Sequence, residues 1–398
     1  MLRQLLLLLL LISNTFANDF LDYLNEKRQN AGMISFKENE LLNKAALNHS
    51  KYLIKNNTQS HNQTRNRTFF TGSNSDERAF FVGYDSFTSE NLTVGNINTY
   101  ESIDSLFTAI YHRFIFLNFK SNELGLGTFT NKNHSASVFN LGNSNINELC
   151  KKRNFIGVGT YYRNICKDRD FKIQKDVYIK TKKINILKNP NIVLWPYPNQ
   201  KNFNPVFYEE TPDPLPFCGV SGNPISVQFN PFKSGKIKLQ SFKLYTSSNG
   251  EIKDTKVFTK KTDPNKRFSD KEFALFPLQR LSWDTKYKVV FKYKEDGVLK
   301  SKKWSFKTKA LAYPLLNVSK EKEIFKVEAG RSNILYFQPS NCKSTSQKYR
   351  YLYTDTMKIN EKKFIDANTL LVNIDGKIGD VLKVKLGNKK EVLLEIVN

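Results

Sequence analysis

The spacing of apolar residues changes once along this chain, and that change rules out a fold built from one kind of element. In the first 150 residues the spacing is helical. Leu42, Ala45, Ala46, His49 and Leu53 line one stripe, and Ile103, Leu106, Phe107, Ile110 and Phe114 line another. Beyond about residue 206 apolar and polar residues alternate, as in Ile225-Ser226-Val227-Gln228-Phe229 and Ile237-Lys238-Leu239-Gln240-Ser241-Phe242. The first period buries one stripe of a helix, the second one face of a strand. The 398 residues therefore read as multidomain: an α+β unit followed by all-β units.

In the first unit, Asp19 can cap a helix running to about Gln29, and Ser102 a later one with Asp104 in its first turn. A short helical piece is expected around Glu77-Arg78-Ala79. Leu124–Phe129 and Ser137–Leu141 read as adjacent strands turned at Lys132-Asn133-His134. Seven of the 13 prolines fall between Pro190 and Pro216, the composition of a stiff, extended connector. The expected organisation is a unit over 18–150, a strand-rich extension and proline-rich linker over 151–205, a β-sandwich over 206–309 and a small C-terminal β domain over 310–398. Asp296-Gly297 between two alternating runs marks a hairpin in the sandwich. Val381–Leu386, Gly387-Asn388 and Val392–Val397 mark one at the end of the chain.

Residues 1–17 have the anatomy of a cleaved signal peptide. Arg3 precedes the apolar run Leu5–Ile12, and Ser13 to Ala17 supplies a small-residue cleavage site after Ala17. A run that short falls well below the roughly 20 apolar residues a spanning helix needs. The expectation is a secreted or periplasmic protein with no transmembrane anchor after cleavage. In such a compartment disulfides persist. Cys150, Cys166, Cys218 and Cys342 allow three connectivities; Cys150–Cys166 with Cys218–Cys342 is the one expected, and free buried thiols are the alternative.

The formal net charge of +25 is unevenly placed. Residues 18–150 carry 12 Lys/Arg and 13 Asp/Glu, whereas 151–398 carry 49 and 24. A basic surface concentrates anionic partners. Outside a cell these are envelope polyanions or polysaccharide rather than nucleic acid. The plainer reading is a set of solvated sheet faces, as in Lys383-Val384-Lys385-Leu386.

Only four histidines are present: His49, His61, His112 and His134. His49 lies on an apolar helix stripe and reads as a core residue. His134 falls in a polar turn and reads as solvated. No serine or cysteine sits in a nucleophile-elbow context.

An ordered set of short motifs spans residues 20–141. It begins with a helix containing Asn25 to Arg28, then Gly32, the helix Leu41–Leu53 and Ser60-His61. Glu77-Arg78-Ala79 with Gly83-Tyr84, Ser89-Glu90-Asn91-Leu92, Tyr111-His112-Arg113, the Gly125/Gly127 strand and Phe139-Asn140-Leu141-Gly142 complete it. This order resembles the bacterial branch of the CAP (SCP-like) superfamily, although Ser89 stands where the family's Gly-Glu-Asn motif has glycine. The resemblance implies an α-β-α sandwich with a cleft lined by His61, Glu90 and His112. Those three residues are then candidates for binding Zn²⁺ or a small ligand, or for acid–base catalysis. The second glutamate of eukaryotic relatives has no match; Glu101 and Asp104 are merely nearby. Leu281–Thr308 resembles bacterial Ig-like modules, which act as spacers or adhesion platforms. The function this implies is a cleft that binds a metal ion or small ligand, with basic β modules for envelope attachment. The alternatives are a metal-dependent envelope hydrolase or a non-catalytic adhesion protein, and binding is favoured over turnover.

Overall fold

The computed structural model describes residues 19–397 except 133, 153, 154, 156, 249, 340, 344–348 and 387–389. The expected signal peptide over 1–17 and the expected turn at Gly387-Asn388 fall outside the described residues. Among these, no helix is long and apolar enough to cross a membrane.

The head has three layers. Its sheet, in the order β1-β3-β4-β2, contains β1 (Lys37–Glu38), β2 (Ser89–Gly95), β3 (Glu123–Asn131) and β4 (His134–Gly142); β1 runs parallel to β3 and the other pairs are antiparallel. The period-two alternation of β4 divides its neighbours. Ala136 and Val138 pack with Ala46 and Leu53 of α2 (Glu40–Lys55). Phe139 and Leu141 pack on the other side with Leu24 of α1 (residues 19–30) and Ile103, Leu106 and Phe107. Glycines set how closely α2 lies on the sheet. A Cβ at Gly125 or Gly127 would come within 2.1 or 2.0 Å of the backbone of Leu42–Asn43 or Leu47. This α-β-α arrangement agrees with the expectation, as do the short α3 (Ser75–Phe81) and the β3–β4 hairpin.

One expected helix is two. α4 (Thr99–Thr108) starts at Asn98, whose side chain forms a capping box with Glu101, and not at Ser102. It stops at Ala109, whose ψ of 117° turns the chain, and α5 (Ile110–Phe116) begins there. Alanine cannot cap a helix with its side chain, so the first amides of α5 need another acceptor.

Residues 151–205, expected as a strand-rich extension and linker, contain after short strands a 14-residue helix (Lys175–Lys188) and the strand Ile192–Trp195. That strand pairs with Ile225–Phe229, so the sandwich draws on residues before 206. Its four-stranded sheet faces a three-stranded one made of Ile237–Thr246, Lys286–Glu295 and Val298–Lys307. Asp296 and Gly297 turn the hairpin with φ of 50° and 87°, the left-handed pair that a two-residue hairpin turn requires. The last module packs two four-stranded sheets, over Leu315–Val318 to Glu391–Ile396, around their own core. Chain order is thus a CAP-like α+β head followed by β-rich modules.

The proline-rich stretch does not hang free between modules. Trp195 is buried, stacks on Phe107 at 4.6 Å and joins a single core running from Leu24 and Phe116 of the head to Ile225 and Phe291 of the sandwich. The sandwich and the last module meet through Arg280, which donates to Asp366 at 2.5 Å, and through Trp283, whose indole donates to Thr369. The disulfides are Cys150–Cys166 and Cys218–Cys342, the expected pairing.

Candidate functional site

The site lies where α2, α3, β2 and α5 converge. Consecutive residues of a strand point to opposite faces, and Glu90-Asn91 on β2 uses both. Glu90 turns toward α3, where its Oε2 accepts from Arg78 Nη2 at 2.6 Å. Asn91 turns toward α5 and donates to the His112 carbonyl at 2.9 Å. Asn140 lies directly across the sheet from Glu90, and its amide nitrogen, turned toward the carboxylate, donates to Oε2 at 3.1 Å. Burial alone would raise the Glu90 carboxyl. The Arg78 guanidinium and the hydrogen bond from His61 outweigh burial and hold it below the usual carboxylate range.

His61 sits in the loop after α2, and its Nδ1 is 2.9 Å from Glu90 Oε1. That loop is anchored from beneath. Arg78 Nη1 donates to the His61 carbonyl at 3.0 Å, and His49 Nε2 lies 3.0 Å from the Ser60 carbonyl. A carbonyl can only accept, so His49 carries its proton on Nε2. Its Nδ1 then accepts from Gln63 at 2.9 Å, while the Gln63 carbonyl accepts from the Thr71 amide. His49 is fully buried on α2, as its stripe position implies, and it also fixes the segment carrying His61.

Burial pushes the His49 imidazole down to about 4. The unfolded chain, with an ordinary histidine pKa near 6.5, binds this proton more readily than the folded protein does. Stability is therefore complete above about pH 6.5 and falls as pH drops toward 4. The full loss is about 3 kcal/mol, at about 1.4 kcal/mol per pH unit. Urea unfolding between pH 7 and 4.5 should show this limb in the wild type and a flatter one in His49→Gln. Identical slopes would show that His49 is not buried as a neutral ring.

His112 on α5 has a carboxylate of its own, and it comes from outside the head. Glu210, in the proline-rich stretch, places Oε2 2.9 Å from His112 Nδ1. The same carboxylate accepts from the amides of Ile110 at 2.6 Å and Tyr111 at 3.1 Å. It is therefore the missing cap of α5, delivered from 98 residues further along the chain. Arg113 clamps the junction from the other side. Fully buried, it donates to Pro224 O and Asn223 Oδ1 at 2.7 Å each, and burial lowers its pKa to about 9. Tyr111 donates its hydroxyl to Asp263 in the same interface.

The three residues expected to share a cleft thus converge. The His61 and His112 rings are near-parallel at 24°, with centroids 6.4 Å apart. Glu90 stands behind His61 as its hydrogen-bond partner, and 2% of its side chain is exposed, against 48% for His61. Glu101 and Asp104 play no part: the first closes the α4 capping box, and the second accepts from Tyr23 and Lys27. His134 opens β4 and is exposed. Among the described residues, no three His, Cys, Asp or Glu side chains are grouped as metal ligands. Two participants escape sequence reasoning. Arg78 is quoted within a motif without a role, and Glu210 carries no local mark at all. The one sign of Glu210 is the uncapped start of α5 at Ala109.

Each imidazole offers Nδ1 to an acceptor-only carboxylate, so in the neutral ring Nδ1 holds the proton and Nε2 keeps a lone pair. The site therefore presents two oriented nitrogen donors. In donor chemistry these residues suit a metal taken by two imidazoles, and among the described residues no third protein ligand is grouped with them.

The profile of the cysteine-rich secretory protein family, CAP, matches residues 21–141. Among solved structures, an outer surface protein of Borrelia burgdorferi is 18% identical, covers 32% of this chain and 90% of its own, and has a TM-score of 0.28. An extracellular protein of Bacillus anthracis containing an SCP domain is also 18% identical over 32% of this chain, with a TM-score of 0.28. In that case the match spans 40% of the Bacillus protein. No curated protein matches the sequence. With the motif order, the three-layer head and the profile in agreement, residues 21–141 are a CAP domain, here leading a chain of β-rich modules.

Proposed function

We propose that the CAP head binds a divalent cation, Zn²⁺ first among candidates, or a small ligand in its place, at Nε2 of His61 and His112. The observation carrying this reading is the pairing of each imidazole with its own buried carboxylate, Glu90 at 2.9 Å and Glu210 at 2.9 Å. Carboxylates in that position fix the ring, select the tautomer and raise the basicity of the free nitrogen. Glu90 then serves from behind His61 instead of as a third ligand. Zinc bound there would supply a Lewis acid with open positions. Binding is favoured over hydrolysis because both carboxylates are already committed to holding imidazoles and amides. The chain would work in a secreted or periplasmic setting after cleavage at Ala17, with its basic β modules holding it at the envelope.

Calorimetric zinc titration at pH 7.5 tests the reading. His61→Ala and His112→Ala should each weaken binding at least about tenfold. Glu210→Gln, which keeps the shape and removes the charge, should weaken it by roughly 10–100-fold. Equal affinity in all four proteins would end the proposal.

A further inference from the structure

The three-stranded sheet of the sandwich has an outer face of one sign. Residues directly opposite one another share a face, so the register defines its positions. On the central strand, Lys286, Lys288, Lys292 and Lys294 point outward, while Tyr287, Val289, Phe291 and Tyr293 are buried. Lys238 and Lys243 extend the face on one neighbouring strand, Lys303 and Lys307 on the other. Serines stand among them: Ser241 and Ser301 both pair with Lys292, and Ser305 pairs with Lys288. No acidic residue occupies an outward position on the paired segments of these three strands. Glu251 reaches Lys243 and Asp284 reaches Lys307. Among the described residues, no ion pair engages the other six lysines.

Two alternatives explain this face poorly. Lysines that guard a sheet against edge-to-edge pairing belong on edge strands, yet four of these are on the central one. Solubility is served by mixed charges, whereas here like charges stand directly opposite each other at Lys286–Lys307 and Lys238–Lys294. Such pairs are destabilising, so the arrangement opposes folding locally. Along the central strand the lysines form two pairs, each spaced by two residues of rise or about 6.6–6.8 Å, on either side of Val290, and together they cover about 27 Å.

We propose that this face is a docking surface for an extended acidic polysaccharide carrying carboxylate or sulfate groups. The lysine rows would follow its charges and the serine hydroxyls its oxygens. This narrows the envelope-attachment reading to one sheet and does not depend on the cleft. A lipid surface is disfavoured because, between the lysines, the face offers only Val290 and the amphipathic Tyr245; Val298 and Leu299 lie at the hairpin end.

The test uses the full chain and two variants of equal charge change. One is Lys286→Gln/Lys288→Gln/Lys292→Gln/Lys294→Gln. The other is Lys322→Gln/Lys326→Gln/Lys358→Gln/Lys363→Gln, on the last module. Binding to heparin is measured across salt concentrations, beside polyphosphate and vesicles containing phosphatidylserine. The face variant should bind heparin at least about tenfold more weakly, with a shallower salt dependence, and the control variant should stay within about twofold of wild type. Equal losses in both variants would overturn the face while leaving charge-driven attachment standing. No binding of wild type to heparin would overturn both, and binding to vesicles or polyphosphate in preference to heparin would overturn the polysaccharide.

Discussion

Glu90→Ala should destabilise the head by about 3–5 kcal/mol, the usual cost of removing one partner from a buried ion pair. The reason lies in Arg78. It is fully buried, it donates to Glu90 at 2.6 Å, and its Nε has no partner among the described residues. Without the carboxylate, a guanidinium is left in the core with the His61 carbonyl as its one acceptor among the described residues. The double variant Arg78→Met/Glu90→Leu should recover most of the loss, because replacing both partners by apolar groups of similar size is close to neutral. It should nevertheless fail to bind zinc, since His61 then has neither its carboxylate nor the contact holding its carbonyl. Hydrogen exchange on the head amides, followed through a urea series, checks the first part, and zinc titration checks the second. A Glu90→Ala loss below about 1 kcal/mol would mean that solvent already screens the pair.

The second large effect concerns the long disulfide. Cys218–Cys342 closes a separation of 124 residues, Cys150–Cys166 one of only 16. In the chain-entropy account the longer loop is worth about 4–5 kcal/mol and the shorter about 3. Cys218→Ser/Cys342→Ser should therefore lower stability more than Cys150→Ser/Cys166→Ser in parallel melts. The reverse order would show that local packing around Cys166, itself buried with Leu149, Phe171 and Ile173, matters more than loop closure.

Most of the head was legible because its signals are local. Apolar stripes placed α2 and alternation placed β4, and in the sandwich Asp296-Gly297 placed a turn. The motif order named His61, Glu90 and His112 together, and the fold brings them close. The failures share a cause, in that each depends on partners remote in sequence. Ile103 to Phe114 keep helical spacing across Ala109, so periodicity alone gives no break there; the break is made possible by Glu210. Lys175–Lys188 spreads its apolar residues around the helix, and only Asn185 and Ile186 are buried, so it left no stripe to read. The prolines suggested a stiff connector and said nothing about Trp195 lying against Phe107. The lysine face emerges only once register shows which residues stand opposite which.

The origin of Glu210 bears on how such a chain can be inherited. A gene segment ending near residue 150 would encode every motif that marks the head, yet it would transfer a His112 without its carboxylate and an α5 without its cap. Exchanging the β modules for unrelated ones would have the same result. Recombination could thus spread the recognisable half of the site while losing the other half, and descendants alike over residues 21–141 need not share a ligand.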